Sequence, residues 1–185
     1  MKKNIYYSLL ISAMVSVSAA EETRQVDKHE HGVGELNIAI EGNAIDFEFF
    51  IPGADIVGFE YEAKTESDIA LVNAALEKFG NFDNIFSLPE SSNCNLVNSE
   101  IGINQDDDHD DHDDHDEHDE EAHNEFVAHY SFNCGNIKEI DRISFPYFTT
   151  FPNSGELEVQ FVSEIGSTSF EVEGDEPFID LKGKI

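Results

Sequence analysis

The chain has 185 residues, 39% of them hydrophobic, and a formal charge of −30 at neutral pH. This length and composition fit one globular domain with an apolar core better than two domains. So large a negative charge repels phosphate backbones and anionic lipid headgroups, and it attracts cations. The composition therefore argues against a nucleic-acid partner and favours a positively charged ligand.

The N-terminus has the pattern of a cleavable secretory signal. Lys2 and Lys3 precede a mostly apolar run over residues 5–17, and the small residues Ser18-Ala19-Ala20 follow it. The run is interrupted by serines and is shorter than the roughly 20 residues that span a bilayer. We therefore expect a signal peptide at 1–20 and a mature domain at 21–185. The mature domain should be periplasmic and soluble, without membrane insertion.

The two cysteines, Cys94 and Cys134, flank an acidic segment. In an oxidising compartment such a pair favours a disulfide, which would tie the two ends of that segment together. The alternative is a pair of thiolates on a metal ion, although the spacing matches no common zinc finger. If the cysteines are oxidised, the mature chain has no soft sulfur ligand, because both methionines lie in the signal. That composition argues against a copper(I) carrier.

Alternating apolar residues predict most of the strands. The run 35–51, broken at Glu41-Gly42-Asn43, predicts a β-hairpin with one buried face. Helical spacing of apolar residues predicts one amphipathic helix that is capped by Ser67 and ends at Gly80.

Further strands are expected from Cys94 onwards, over 125–134, and on both sides of a turn at Gly166. In the strand after Cys94, we expect Val97, Ser99, Ile101 and Ile103 to share one face. The aromatic stretch 145–152 should be buried packing. The predicted fold is α+β, a single antiparallel sheet or sandwich-like domain with one amphipathic helix and a long disordered loop.

That loop, at 104–124, is an acidic insert that contains regularly spaced histidines. Residues 106–121 comprise twelve acids and four histidines, and no apolar residue. Blocks of like charge stay solvated, so the insert is expected to be disordered without a cation. The histidines recur every third residue, and one more follows: His109, His112, His115, His118 and His123.

A loop kept only for solubility would need no histidine. Imidazole suits zinc, nickel and copper(II), and the carboxylates supply further oxygen ligands. Calcium fits less well, because it takes oxygen ligands from a loop with a glycine at a sharp turn. The pattern therefore predicts a site for Zn²⁺ or another divalent transition metal.

A second histidine group precedes the first strand. In an extended segment His29 and His31 face the same side, so together they can present two imidazoles to one ion. His129 is the only histidine within a predicted strand, on the face opposite Phe126 and Tyr130, and is a candidate third ligand. The alternative for His29 and His31 is that they are chance histidines at a mobile terminus. The alternative for His129 is that it is an ordinary surface histidine.

The chain resembles the zinc-regulated periplasmic protein family, the ZrgA-like proteins. The resemblance rests on HEHGVGELNIAIEGNAIDFEF at 29–49, IPGADIVGFEYEAKTESD at 51–68, CNLVNSE at 94–100 and EFVAHYSFNC at 125–134, with the Asp/His-rich insert between the last two. It implies a periplasmic zinc-binding component of a zinc uptake system that works with an ABC-type permease in the inner membrane. By position, His29 and His31 match the leading His-x-His of the family, and 109–118 match its insert.

Two functions remain open from the sequence. The protein either captures Zn²⁺ and supplies a zinc uptake system, or buffers excess zinc, nickel or copper(II) in the periplasm. An enzyme is not expected, because the chain contains neither an HExxH nor a GxSxG motif. The mature domain is also too short for the two lobes of a familiar metal-binding solute receptor.

Overall fold

The computed structural model of the chain describes residues 32–105 and 124–185. The signal expected at 1–20, the His29/His31 pair and the histidines of the insert all lie outside the described residues, so those expectations stay predictions. Among the described residues, no helix is both long and apolar enough to cross a membrane.

The described residues form eight strands and three α-helices. The strands are β1 (Val33–Glu41), β2 (Ala44–Pro52), β3 (Cys94–Gln105), β4 (Asn124–Cys134), β5 (Arg142–Ser144), β6 (Glu156–Ser163), β7 (Gly166–Glu173) and β8 (Phe178–Asp180). The helices are α1 (Gly53–Val57), α2 (Glu66–Phe79) and α3 (Tyr147–Thr150), and three short 3-10 turns complete the elements. The α+β class is confirmed, with one long helix as predicted.

Six strands form one sheet in the order β3-β4-β2-β1-β6-β7, and β5 pairs with β8 in a separate ribbon. The predicted hairpin β1–β2 is present, and so is the pair β6–β7 that was expected on both sides of a turn near Gly166. Every neighbouring pair of strands is antiparallel except β1 with β6. The β1–β6 pair is parallel, so the sheet is mixed. The chain leaves β1 through β2, β3, β4 and β5 before it returns as β6 beside β1.

One face of the sheet is buried beneath a layer built mainly of aromatic side chains. Phe86 is central to that layer, because its ring contacts the rings of Phe47, Phe49, Tyr130 and Phe132. The predicted burial of the aromatic stretch 145–152 is also confirmed at Phe145, Tyr147 and Phe151. The other face of the sheet is directed to solvent.

The strands of the six-stranded sheet contain no lysine or arginine. Acidic residues occupy many solvent-side positions, including Glu35, Glu48, Glu100, Glu158 and Glu171. This uniform sign of charge attracts cations to the open face and disfavours polyanions.

Helix α2 begins two residues earlier than the sequence suggested. Its cap is Thr65, whose hydroxyl oxygen accepts the backbone N–H of Asp68, so the expected cap at Ser67 is wrong. Thr65 is favoured because Glu66 and Asp68 then lie in the first turn, where negative charge is stabilised by the helix dipole. Ile69 and Leu71 are half-exposed, so the buried stripe is narrower than predicted.

A β-bulge in β3 changes which residues face the core. The register with β4 shifts between Leu96 and Asn98, which leaves Val97 69% exposed. The expected single face through Val97, Ser99, Ile101 and Ile103 is therefore wrong at its first position, because an inserted residue reverses the alternation.

The predicted disulfide between Cys94 and Cys134 is present, but it does not tie the ends of the insert together. It joins the first residue of β3 to the last residue of β4, whereas the insert connects Gln105 to Asn124. Gln105 is eleven residue steps along β3 from Cys94, about 37 Å at the usual rise. The strand pairing itself, not the disulfide, holds the ends of the insert.

Candidate metal site

Two chain segments that carry histidines join the fold at the same end of the six-stranded sheet. The register places the start of β1, the end of β2, the end of β3 and the start of β4 at this end, which we call the insert end. Gly32, the first described residue, precedes β1 there, and Asn124 begins β4 there. Because only β2 lies between β1 and β4, the two entry points are about 10 Å apart across the sheet.

The backbone of Gly32 is held by hydrogen bonds on both sides. Its N–H donates to Oδ1 of Asp55 at 2.9 Å, and its carbonyl accepts the N–H groups of Gly155 and Glu156 at 3.0 and 2.8 Å. Gly32 has a φ of +90°, a conformation that residues with a side chain rarely adopt. The direction in which the chain enters β1 is thus fixed by its neighbours.

Asn124 is held just as firmly at the start of β4. Its N–H donates to the carbonyl of Glu60 at 2.8 Å, and its side-chain amide donates to the carbonyl of Tyr61. Gly53, the first residue of α1, packs so closely that an added Cβ would lie 2.9 Å from the carbonyl oxygen of Asn124. Helix α1 therefore links the two entry points.

Asp55, in α1, has a buried carboxyl group at the insert end. The residue is only 4% exposed. Its negative charge also acts on Tyr147: burial raises the pKa of the Tyr147 hydroxyl above its ordinary value, the hydrogen bond with Ser154 opposes that rise, and the charge of Asp55 adds to it. Carboxylates are hard oxygen donors that suit zinc, either as ligands or as partners of ligands.

Of the histidines predicted as ligands, His129 is the one that lies among the described residues. It lies in β4 on the solvent-facing side of the sheet, whereas Phe126 and Tyr130 are buried on the core side, as the alternation predicted. Its register neighbours are Glu48 on β2 and Glu100 on β3, and its Nε2 is 3.8 Å from Oδ1 of Asp46. His129, Asp46 and Glu48 line a shallow depression of about 190 Å³ on this face.

The described residues do not assemble a complete metal site around His129. Within 32–105 and 124–185, no three His, Cys, Asp or Glu residues lie close enough to hold one ion. His129 is also five residues along β4 from Asn124, about 17 Å from the insert end. A ligand role for His129 stays a prediction, and its position separates it from the entry points of the other histidines.

Asp55 is a candidate site residue that the sequence reasoning missed. The signal that points to it is a single acid within the apolar run Ile51-Pro52-Gly53-Ala54-Asp55-Ile56-Val57. A carboxyl group in such a run has to be buried or break the element, and burial of a charge requires hydrogen-bonding partners.

Comparison with known proteins gives one result. A family model described as "ZrgA family zinc uptake protein" matches residues 28–181, and no curated protein matches the chain. The match covers all the strands and helices of the described fold, the insert and His29 and His31, in agreement with the resemblance seen in the sequence. The chain belongs to the ZrgA family of zinc uptake proteins.

Proposed function

We propose that the mature chain is an exported zinc-binding protein that captures Zn²⁺ in the periplasm and supplies an ABC-type zinc uptake system. Its ligands are His29 and His31 on one side, and the histidines of the insert on the other. Membership in a zinc uptake family supports the zinc-related role. The signal-like N-terminus and the disulfide support an oxidising compartment outside the cytoplasm.

The observation that carries the proposal is that Gly32 and Asn124, the described residues next to the two histidine groups in the sequence, both lie at the insert end. His31 is bonded to Gly32, and His123 is bonded to Asn124, and these two anchors lie about 10 Å apart across the sheet. Ions gathered by the acidic insert are thereby delivered beside the His29/His31 pair.

The two groups differ in what binding costs. The His29/His31 pair adjoins Gly32, whose backbone is held on both sides. The sequence of the insert, a run of like charges, predicts a chain that loses more conformational freedom when it binds an ion. We therefore propose a tighter site at His29/His31 and several weaker sites at His109, His112, His115, His118 and His123. His129 contributes at most a separate weak position.

Growth of a strain without the gene tests the direction of zinc flow. A supplier to an importer is needed when zinc is scarce, so the deletion strain should grow poorly in chelator-treated medium and recover when zinc is added. A strain that grows normally without zinc but is sensitive to excess zinc, nickel or copper(II) would instead show a buffer.

A further inference from the structure

One row of side chains crosses all six strands on the solvent-facing side of the sheet. Register pairing connects one residue of each strand to the next. Because neighbouring strands lie about 4.8 Å apart, the row is about 24 Å long. From β3 to β7 the row reads Gly102, Val127, Phe50, Glu35, Glu158 and Glu171.

The half of the row on β1, β6 and β7 consists of directly opposed carboxylates. Glu35 is opposite Glu158, and Glu158 is opposite Glu171. All three side chains are exposed. Like charges at opposed positions destabilise a sheet, and the six strands contain no lysine or arginine that would offset them. This half of the row is therefore suited to a partner that supplies the positive charges.

The other half of the row is apolar and contains a glycine that the fold does not explain. Phe50 and Val127 are both partly buried although they lie on the solvent-facing side. Gly102 does not have the positive φ that favours glycine, and a Cβ added to it would meet no described atom within 4 Å. Glycine inside a strand lowers stability, and it often marks a place where another molecule approaches closely. The open space at Gly102, beside Val127, has room for a side chain of a second molecule.

Charge limits which molecules can occupy this face. A second copy of the chain has the same formal charge of −30, and residues 106–121 of the insert comprise twelve acids, so both are repelled. A single metal ion is not favoured, because no three His, Cys, Asp or Glu residues within 32–105 and 124–185 lie close enough to hold one. Carboxylates spread over three strands instead fit positive charges that are themselves spread over a protein surface.

We propose that this face is a docking surface for a partner protein that presents lysine or arginine side chains next to an apolar one. The basic side chains lie over Glu35, Glu158 and Glu171, and the apolar side chain lies beside Gly102 and Val127. No zinc ligand takes part in this contact, so the inference goes beyond the proposed function and its failure would leave that function standing.

The size of the face indicates a transient complex. Strands β6 and β7 each have eight residues, which gives a face of about 24 by 26 Å, or roughly 600 Å². A partner that covers it buries about 1,200 Å² of surface in total, which is at the lower end of specific interfaces. Such a complex should form quickly through charge attraction and weaken steeply as salt is added.

Photo-crosslinking in cells that export the full chain identifies the partner. One variant carries p-benzoylphenylalanine in place of Gln160, an exposed residue two positions after Glu158 on the same face. The matched variant carries it in place of Asn73, an exposed residue of α2, which packs against the other face. We expect an adduct at position 160 but not at 73, with a protein that mass spectrometry identifies and that has exposed lysines or arginines. Absence of such an adduct, or an adduct only within the chain or with a second copy, would overturn the proposal.

Two sets of substitutions separate the row from net charge, with the purified partner as the probe. The triple variant Glu35→Gln, Glu158→Gln, Glu171→Gln should weaken docking about tenfold. The control Glu77→Gln, Glu90→Gln, Glu139→Gln removes the same charge from exposed positions outside the sheet and should leave docking unchanged. Equal losses in the two variants would show that overall charge alone attracts the partner, contrary to the proposal.

Gly102→Val tests the apolar half of the row. Valine is favoured in strands and meets no described atom here, so the midpoint of urea unfolding should stay the same or rise. Docking should nevertheless weaken, because the added side chain fills the space that the partner needs. A purely structural role for Gly102 predicts the opposite pair of results, namely lower stability and normal docking of the folded variant, and either result would refute this part of the proposal.

Discussion

Removing the Cys94–Cys134 disulfide should destabilise the protein and leave zinc binding unchanged. The bond spans a sequence separation of 40 residues. In the chain-entropy model, freeing a loop of this size in the unfolded state costs the folded protein about 4 kcal/mol. Folded domains are typically stable by only about 5–15 kcal/mol, so the protein should remain folded with much of its margin lost.

Urea unfolding followed by far-UV circular dichroism measures this cost, with oxidised and reduced wild-type protein compared directly. Reduction keeps every side-chain atom, so the comparison isolates the covalent link. The double variant Cys94→Ala, Cys134→Ala should lose somewhat more, because Cys134 is fully buried and its sulfur contacts are lost as well.

Zinc titration of the double alanine variant tests the second half of the prediction. The disulfide lies about 37 Å along the hairpin from the ends of the insert, and the strand pairing between them stays intact. Zinc affinity and stoichiometry should equal those of the parent. If reduction of the disulfide lowers the free energy of unfolding by less than about 1 kcal/mol, the entropic reasoning is wrong. Loss of zinc sites would refute the separation of disulfide from metal binding and revive a thiolate site.

Three other predictions follow from the structure. Replacing 106–123 with an Asn-Gly turn should keep the fold, because Gln105 and Asn124 are register partners. The replacement should remove several weak zinc sites and spare a tighter one. A zinc titration that finds no binding left would contradict this prediction. Zinc affinity should fall steeply from about pH 7 to about pH 5, since imidazole has to be neutral to bind and its reference pKa is about 6.5; constant affinity would show that carboxylates hold the ion. Burial raises the pKa of Tyr130 and of Tyr147 above the ordinary value of 10.0. Above pH 10 the folded state therefore keeps protons that the unfolded state releases, so the free energy of unfolding should fall as the pH rises further. Urea unfolding across this alkaline range should show a smaller fall in a Tyr147→Phe variant, and an equal fall would contradict the assignment.

Local patterns in the sequence predicted most of the fold. Alternation located the strand pair β1–β2 and placed His129 on the solvent face, and helical spacing located α2. These signals are local because one buried face imposes its period on each element.

Features that depend on distant parts of the chain were not predictable in the same way. The parallel pairing of β1 with β6 joins residues more than 100 positions apart, and no local period reports it. The residue types of β3 do not reveal the bulge at Val97, because the bulge is defined by the register with β4. The position of the disulfide at the far end of the hairpin follows from register, which the sequence spacing of two cysteines does not contain.

The candidate site was predicted in part. The histidines are visible in the sequence because imidazole recurs at a fixed interval among acids. The anchoring of Gly32 and Asn124 by α1 was not visible in the sequence. It depends on contacts of Asp55 with Gly32 and of Gly53 with Asn124, which are distant from each other along the chain.

Calorimetric titration of the metal-free mature protein with zinc, and with calcium in parallel, tests the central claim most directly. Binding of Zn²⁺ in one tighter phase and several weaker ones is predicted, with calcium clearly weaker because imidazole is a poor ligand for it. Zinc binding that is absent, or no stronger than calcium binding, would contradict the account.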